Sequence, residues 1–359
     1  MNRLFVLVVC ALSLLMTSTT AFGQGKAQRI KEIREAYAQA KKDMVDNGKG
    51  DFPPCDIHID LNDGTEVSED FIINDEREVD IFFKRIHQRP DTDLFDPHCY
   101  FIVEKWSANG HTSYREMLFD PFSDRLMFSY MKVETHAGSV IESRYYYDNE
   151  GRCIEQRPEQ GGMAWSSAET DYEKAKNYLA IFDALMKEKG SDPKTSIAQQ
   201  SADKVAQMQH IRSVYAEAKQ KVDKDAKSEL PRNVQITIRD CEDPEMPAQK
   251  DVLKFWFDNV ADGETPYNSC YFMSSTTNLG DHSVYSEFLY EPKTPTPIFC
   301  FSKQQQNAGS ALEWRYYFDK SGRCIEAKGN EDRNGPGFAD KGKAERYQII
   351  FKSIIDTLD

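Results

Sequence analysis

The sequence predicts an α+β protein made of two tandem copies of one module. Each copy reads as a helix, an antiparallel meander sheet of about seven strands, and a closing helix, with the sheet strongly curved. Three observations predict this. A thirteen-residue stretch occurs twice, as "RYYYDNEGRCIEQ" from Arg144 and "RYYFDKSGRCIEA" from Arg315. Matched residues keep one spacing: Cys99 and Cys270, His111 and His282, Pro121 and Pro292, and Cys153 and Cys324 are each 171 positions apart, so no net insertion separates the copies over that span. Between the matched ends, short β-prone runs follow one another with turn residues between them.

In chain order, the N-terminal "MNRLFVLVVCALSLLMTSTTAFGQ" has a positive end, an apolar run from Leu4 to Met16 and small residues before Gln24. That pattern predicts a signal peptide over residues 1–23 and an exported chain beginning at Gln24, periplasmic or secreted, of bacterial type. No later stretch is apolar enough for a membrane helix, so an integral membrane protein is not expected. The first module spans 25–189 and the second 201–359, with a polar linker over 190–200 that holds Gly190 and Pro193.

The opening helix of the first module places Ile30, Ile33, Tyr37 and Ala40 at helical spacing, and Ile211, Tyr215, Ala218 and Val222 repeat it. "DIHIDL" and "VQITIRD" alternate as strands do. The runs "VDIFFKRI", "CYFIVEKW", "SYREMLFD", "RLMFSYMKV", "ESRYYYD" and "RCIEQR" complete the first meander. The closing helices carry Tyr178, Phe182 and Leu185, and Tyr347, Phe351 and Ile354. Within the thirteen-residue repeat, "DNEG" and "DKSG" predict hairpin turns, with Asp148 and Asp319 bonding nearby backbone and Gly151 and Gly322 at positive φ. An apolar sheet face needs a cover, so both helices are expected on the concave side.

The net charge of −14 disfavours nucleic acid and anionic membrane surfaces as partners. With Cys10 lost in the signal, seven cysteines remain, an odd number that leaves at least one free or intermolecular. Cys99 with Cys153 and Cys270 with Cys324 are the disulfide candidates. In a simple meander they sit four strands apart, roughly 19 Å, where a bridge needs Cα atoms within about 7 Å. The bridges therefore require a closed or reordered sheet.

Chemistry-bearing residues are few. "HTSYRE" from His111 and "HSVYSE" from His282 share a His-x-x-Tyr-x-Glu pattern. It makes His111, Glu116, His282 and Glu287 weak catalytic candidates for acid–base or metal work. The plainer reading is a turn His, a packed Tyr and a cross-strand Glu. The glycines of "GGMAWSS" and "NGPGF" read as loops, because the Lys and hydroxyl that a phosphate loop recruits are missing. No metal or cofactor is implied. The aromatic residues point to binding: Tyr114, Tyr145, Tyr146, Tyr147, Tyr285, Tyr316 and Tyr317 lie on strands, where alternation turns some of them away from helices on a single face. Trp106, Trp165, Trp256 and Trp314 add to them.

The leading expectation is an exported, non-catalytic binding protein whose duplicated modules present aromatic-lined surfaces to a ligand or protein partner. The alternatives are a hydrolase or metal-dependent enzyme using the duplicated His/Tyr/Glu set, and a structural subunit of a cell-surface assembly.

Overall fold

The computed structural model describes residues 25–49, 54–68, 71–87, 95–108, 111–158, 166–186, 202–228, 231–240, 249–262, 265–278, 282–292, 294–306, 311–329 and 337–358. The expected signal segment, the linker, Trp165, Cys241 and the glycines of "GGMAWSS" lie outside them. Helix α1 spans 25–46. Seven strands follow: β1 (Asp56–Ser68), β2 (Phe71–His87), β3 (Phe95–Ala108), β4 (His111–Asp120), β5 (Arg125–Glu134), β6 (Val140–Tyr147) and β7 (Cys153–Arg157). After α2 (Ala168–Met186) and α3 (Ala202–Asp225) come β8 (Arg232–Asp240), β9 (Gln249–Asp262), β10 (Thr265–Asn278), β11 (His282–Tyr290), β12 (Pro297–Gln306), β13 (Ala311–Phe318) and β14 (Cys324–Gly329), and α4 (Gly337–Leu358) closes the order.

All fourteen strands form one antiparallel sheet in the order β14 to β8, then β1 to β7. Each half is a simple meander. The halves join where β1 pairs antiparallel with β8, from Asp56 opposite Arg239 to Asp63 opposite Arg232. The sheet is open, with β7 and β14 at its edges. Both edge strands are short and carry charge (Glu155 and Arg157, Glu326 and Lys328), which discourages edge-to-edge pairing.

The expectation of a strongly curved sheet with helices on one concave face is not met. The sheet is not strongly curled, and helices cover both of its faces. One core runs under α2 and α4 and takes alternate strand residues from both halves, including Ile102, Tyr145, Tyr147, Phe255, Phe257 and Phe318. The intervening residues point the other way. Phe101, Val103, Leu118 and Tyr146 pack under α1, and Trp256, Phe272, Phe299 and Tyr317 under α3. With a helix available on either side, each strand can bury both of its faces, and no curl is needed to wrap one of them. On the first face α2 and α4 touch, and the Arg346 guanidinium donates to the C-terminal carbonyls of Ala184 (2.6 Å) and Leu185 (2.5 Å).

Two-sided cover also corrects the tyrosine surface. Tyr145, Tyr146, Tyr147, Tyr316 and Tyr317 are all buried, each at most 6% exposed. Tyr147 donates to the Ala168 carbonyl at 2.7 Å, tying β6 to the start of α2. The disulfide candidates are corrected by the open meander. Cys99 and Cys153 lie on β3 and β7, and Cys270 and Cys324 on β10 and β14, so neither pair meets, and all four remain thiols.

The duplicated hairpin is built as its residues require. Asp148 Oδ1 accepts from the backbone NH groups of Glu150 and Arg152, both at 2.9 Å, and Gly151 has φ +80°. Asp319 does the same with Ser321 (2.9 Å) and Arg323 (3.0 Å), and Gly322 has φ +74°. Arg152 and Arg323 close each turn on the same aspartate, at 2.8 and 2.9 Å.

Candidate functional site

Strand alternation decides the fate of the His-x-x-Tyr-x-Glu pattern. His111 and Glu116 are five residues apart on β4, so they lie about 17 Å apart along the strand and point to opposite faces. His111 packs edge-on against His136, with ring centroids 5.3 Å apart. The same spacing separates His282 from Glu287 on β11. The expected His–Glu pairs are therefore not brought together. Among the described residues, no group of three or more His, Cys, Asp or Glu side chains is placed to hold a metal ion.

Tyr114 and Glu116 do share a face, and what joins them comes from the opening helix. Glu116 is 2% exposed and accepts hydrogen bonds from Tyr114, Tyr37 and Lys41. Tyr37 and Lys41 are one helical turn apart on α1, so both reach the same carboxylate. Glu287 repeats the arrangement with Tyr285 (2.6 Å), Lys219 (2.8 Å) and Tyr215, the last two from α3. Burial, and then the bond to the carboxylate, pushes each of these four phenols well above the ordinary tyrosine value. They stay protonated and donate. Each cluster pins a helix to the sheet through a buried charge whose partners are all supplied by the fold.

The pinned helices cover only part of this face. α1 ends at the Asp56 end of β1, where Asn47 Nδ2 donates to Asp56 Oδ2 at 2.6 Å. α3 packs on Trp256, whose cross-strand partner on β8 is Asn233, at the opposite end. Beside α1 the strands of the first half are left open, and a groove of about 300 Å³ forms there, lined by Tyr114, Lys105, Lys132, Glu78 and Glu134 among others. Tyr114 and Tyr285 are the two expected binding tyrosines that keep partial exposure. A second hollow of about 270 Å³ continues past Glu76 and Glu78 to Gln235 and Lys254 across the β1–β8 seam. Next to the Asp60 that lines this second hollow, His58 lies against Asp60 (2.9 Å) and Asp80 (2.6 Å). Those two bonds raise its pKa to about 10 against the opposing effect of burial, so it is an imidazolium at neutral pH.

One constellation escaped the sequence reading. On the α2 side, Arg115 donates to Glu104 at 2.7 Å and lies 3.5 Å from Asp171, while Lys174 meets Glu104 at 2.7 Å. Burial would raise the Glu104 pKa, but the Arg115 guanidinium and then Lys174 hold it down to about 2. Burial in turn pushes Lys174 below its ordinary value. A signal was present in the 171-residue spacing. The cross-strand row Glu104–Arg115–Met131–Ser143 becomes Ser275–Ser286–Ser302–Trp314. Both charges vanish together, and a large Trp stands where the small Ser143 was. That is the mark of two charges in contact and of a core that keeps its volume.

No protein-family model, curated protein or solved structure matches the chain.

Proposed function

We propose that the chain is an exported, non-catalytic binding protein built from two copies of one module, with its ligand surface on the open part of the α1/α3 face. The 171-residue spacing supports the duplication, and the N-terminal pattern supports export. The observation that carries the binding reading is the groove beside Tyr114. It is a concave, partly aromatic surface on a rigid sheet, next to a Glu116 whose bonding capacity is taken up by Tyr37, Lys41 and Tyr114. The separation of His111 from Glu116 weighs against the hydrolase alternative, because a general acid–base pair must reach one substrate.

The test is a native mass spectrum of the protein recovered from its exporting cell, beside that of Thr112→Trp. Thr112 lines the groove and is exposed, so the indole fills the groove without entering the core. A bound molecule carried by the unaltered protein and lost from the variant is the expected result. A molecule retained equally by both places binding elsewhere and removes the proposal.

A further inference from the structure

The two ends of the β1–β8 seam are finished differently. On the α1/α3 face the cross-strand pairs run Asp56 with Arg239, His58 with Thr237, Asp60 with Gln235 and Asn62 with Asn233. At the first end the fold satisfies its own groups. Arg239 donates twice to Asp56, at 2.8 and 2.6 Å, and Asn47 donates to the same carboxylate at 2.6 Å. At the other end the side chains of Asn62, Asn233 and Gln235 form no hydrogen bond among the described residues. Asn233 is 8% exposed and lines the seam hollow of about 270 Å³. A carboxamide brings two donors and an acceptor, and leaving them unbonded at a site this buried is destabilising. Groups that break a rule of folding without a return inside the chain mark a place that serves something outside it.

The charges of the hollow are as uneven. Asp60 is held by His58 (2.9 Å), Glu78 by Lys105 (2.7 Å) and Arg77 by Asp75 (3.2 Å). Lys254 meets no carboxylate among the described residues. It is half-buried, and its Nζ lies 5.3 Å from the centre of the Trp256 ring, which fixes the cation at one end of the hollow. Glu76 lines the other end, on β2, three strand spacings from β9, about 14 Å. A cation, a row of carboxamides and a carboxylate acceptor therefore follow one another along the hollow.

We infer that the seam hollow is a binding site for a small hydroxy-carboxylic acid of the sugar-acid type. Its carboxylate meets Lys254. Its hydroxyls, each both donor and acceptor, meet Gln235, Asn233 and Asn62, and the farthest donates to Glu76. A neutral sugar leaves Lys254 without a counter-charge. A dicarboxylate without hydroxyls leaves the carboxamides unbonded and sets its second charge against Glu76. The hollow is at the small end of ligand pockets, which suits one sugar-acid unit. The site is separate from the groove beside Tyr114 and does not depend on it. Asn62 and Glu76 come from the first half of the chain, and Asn233, Gln235 and Lys254 from the second, so it exists only where the two meanders are joined.

The experiment is calorimetry on the full chain with glucuronate, galacturonate and gluconate, beside glucose as the neutral control and succinate as the hydroxyl-free one. At least one sugar acid is expected to bind at one site per chain, with both controls weaker by about 10-fold or more. Lys254→Met should weaken it by about 10- to 100-fold and Gln235→Ala by about 5- to 10-fold. Both side chains are half-buried on the sheet surface, so neither change opens the core. Failure of all three acids to bind overturns the inference. Binding that Lys254→Met and Gln235→Ala leave unchanged places the acid elsewhere and overturns the site. Glucose bound as tightly as the acids overturns the ligand class. An acid lost on Thr112→Trp but kept by Lys254→Met belongs to the groove beside Tyr114, so the binding reading stands and this inference falls.

Discussion

Glu104→Gln tests the buried ion cluster most directly. The side chain is 3% exposed and bonded by Arg115 and Lys174, both at 2.7 Å. Gln keeps the shape and one acceptor oxygen and removes the charge. Lowering the carboxyl from 4.5 to about 2 corresponds to about 3 kcal/mol of stability. Because the folded-state pKa is the depressed one, that contribution is complete above the unfolded value near 4.5 and is lost as pH falls through 2. Urea unfolding followed by tryptophan fluorescence should therefore show the variant about 3 kcal/mol less stable at pH 7. The gap should fall to less than half by pH 3, because the unfolded chain takes up the proton at Glu104 while the folded protein still holds the carboxylate ionised. An equal gap at pH 7 and pH 3, or none at pH 7, would refute the assignment of the stabilisation to the ionised carboxylate.

Other outcomes follow from the same contacts. Glu287→Ala removes the buried carboxylate that Lys219 and two phenols share as acceptor. It should cost about 3 kcal/mol and raise amide exchange in α3 more than in α1; uniform exchange across both helices would contradict the pin. Gly151→Ala meets both a positive φ and the Tyr172 ring. It should destabilise by about 1–3 kcal/mol, read as a lower thermal midpoint, whereas an unchanged midpoint would place the turn elsewhere. Burial raises the thiols of Cys99 and Cys270, and Cys153 is exposed on an edge strand. Iodoacetamide at pH 8 should therefore label Cys153 well before those two, and peptide mapping reads the order.

Much of the fold was legible because local rules suffice for it. Apolar residues at helical spacing defined α1 and α3 through Ile33, Tyr37 and Ala40 and through Ile211, Tyr215 and Ala218. The turn chemistry of Asp148 and Gly151 located a hairpin whose bonds are those expected. The candidate site was legible only in part. Tyr114 and Glu116 were found as neighbours on one face, but their partners Tyr37 and Lys41 lie more than seventy residues upstream, and no periodicity links such distant positions.

The sequence by itself determined the elements and their antiparallel order within each half, because hydrogen-bonded turns and side-chain alternation act over a few residues. Only the tertiary structure decided that β1 pairs with β8, so that the two meanders became one sheet with one core under α2 and α4. It also decided that helices sit on both faces, which buried Tyr145, Tyr146 and Tyr147 together and left Tyr114 and Tyr285 beside open strands. Which face a helix takes is a competition between two apolar surfaces of similar character. That competition is settled by the packing of residues far apart in the chain.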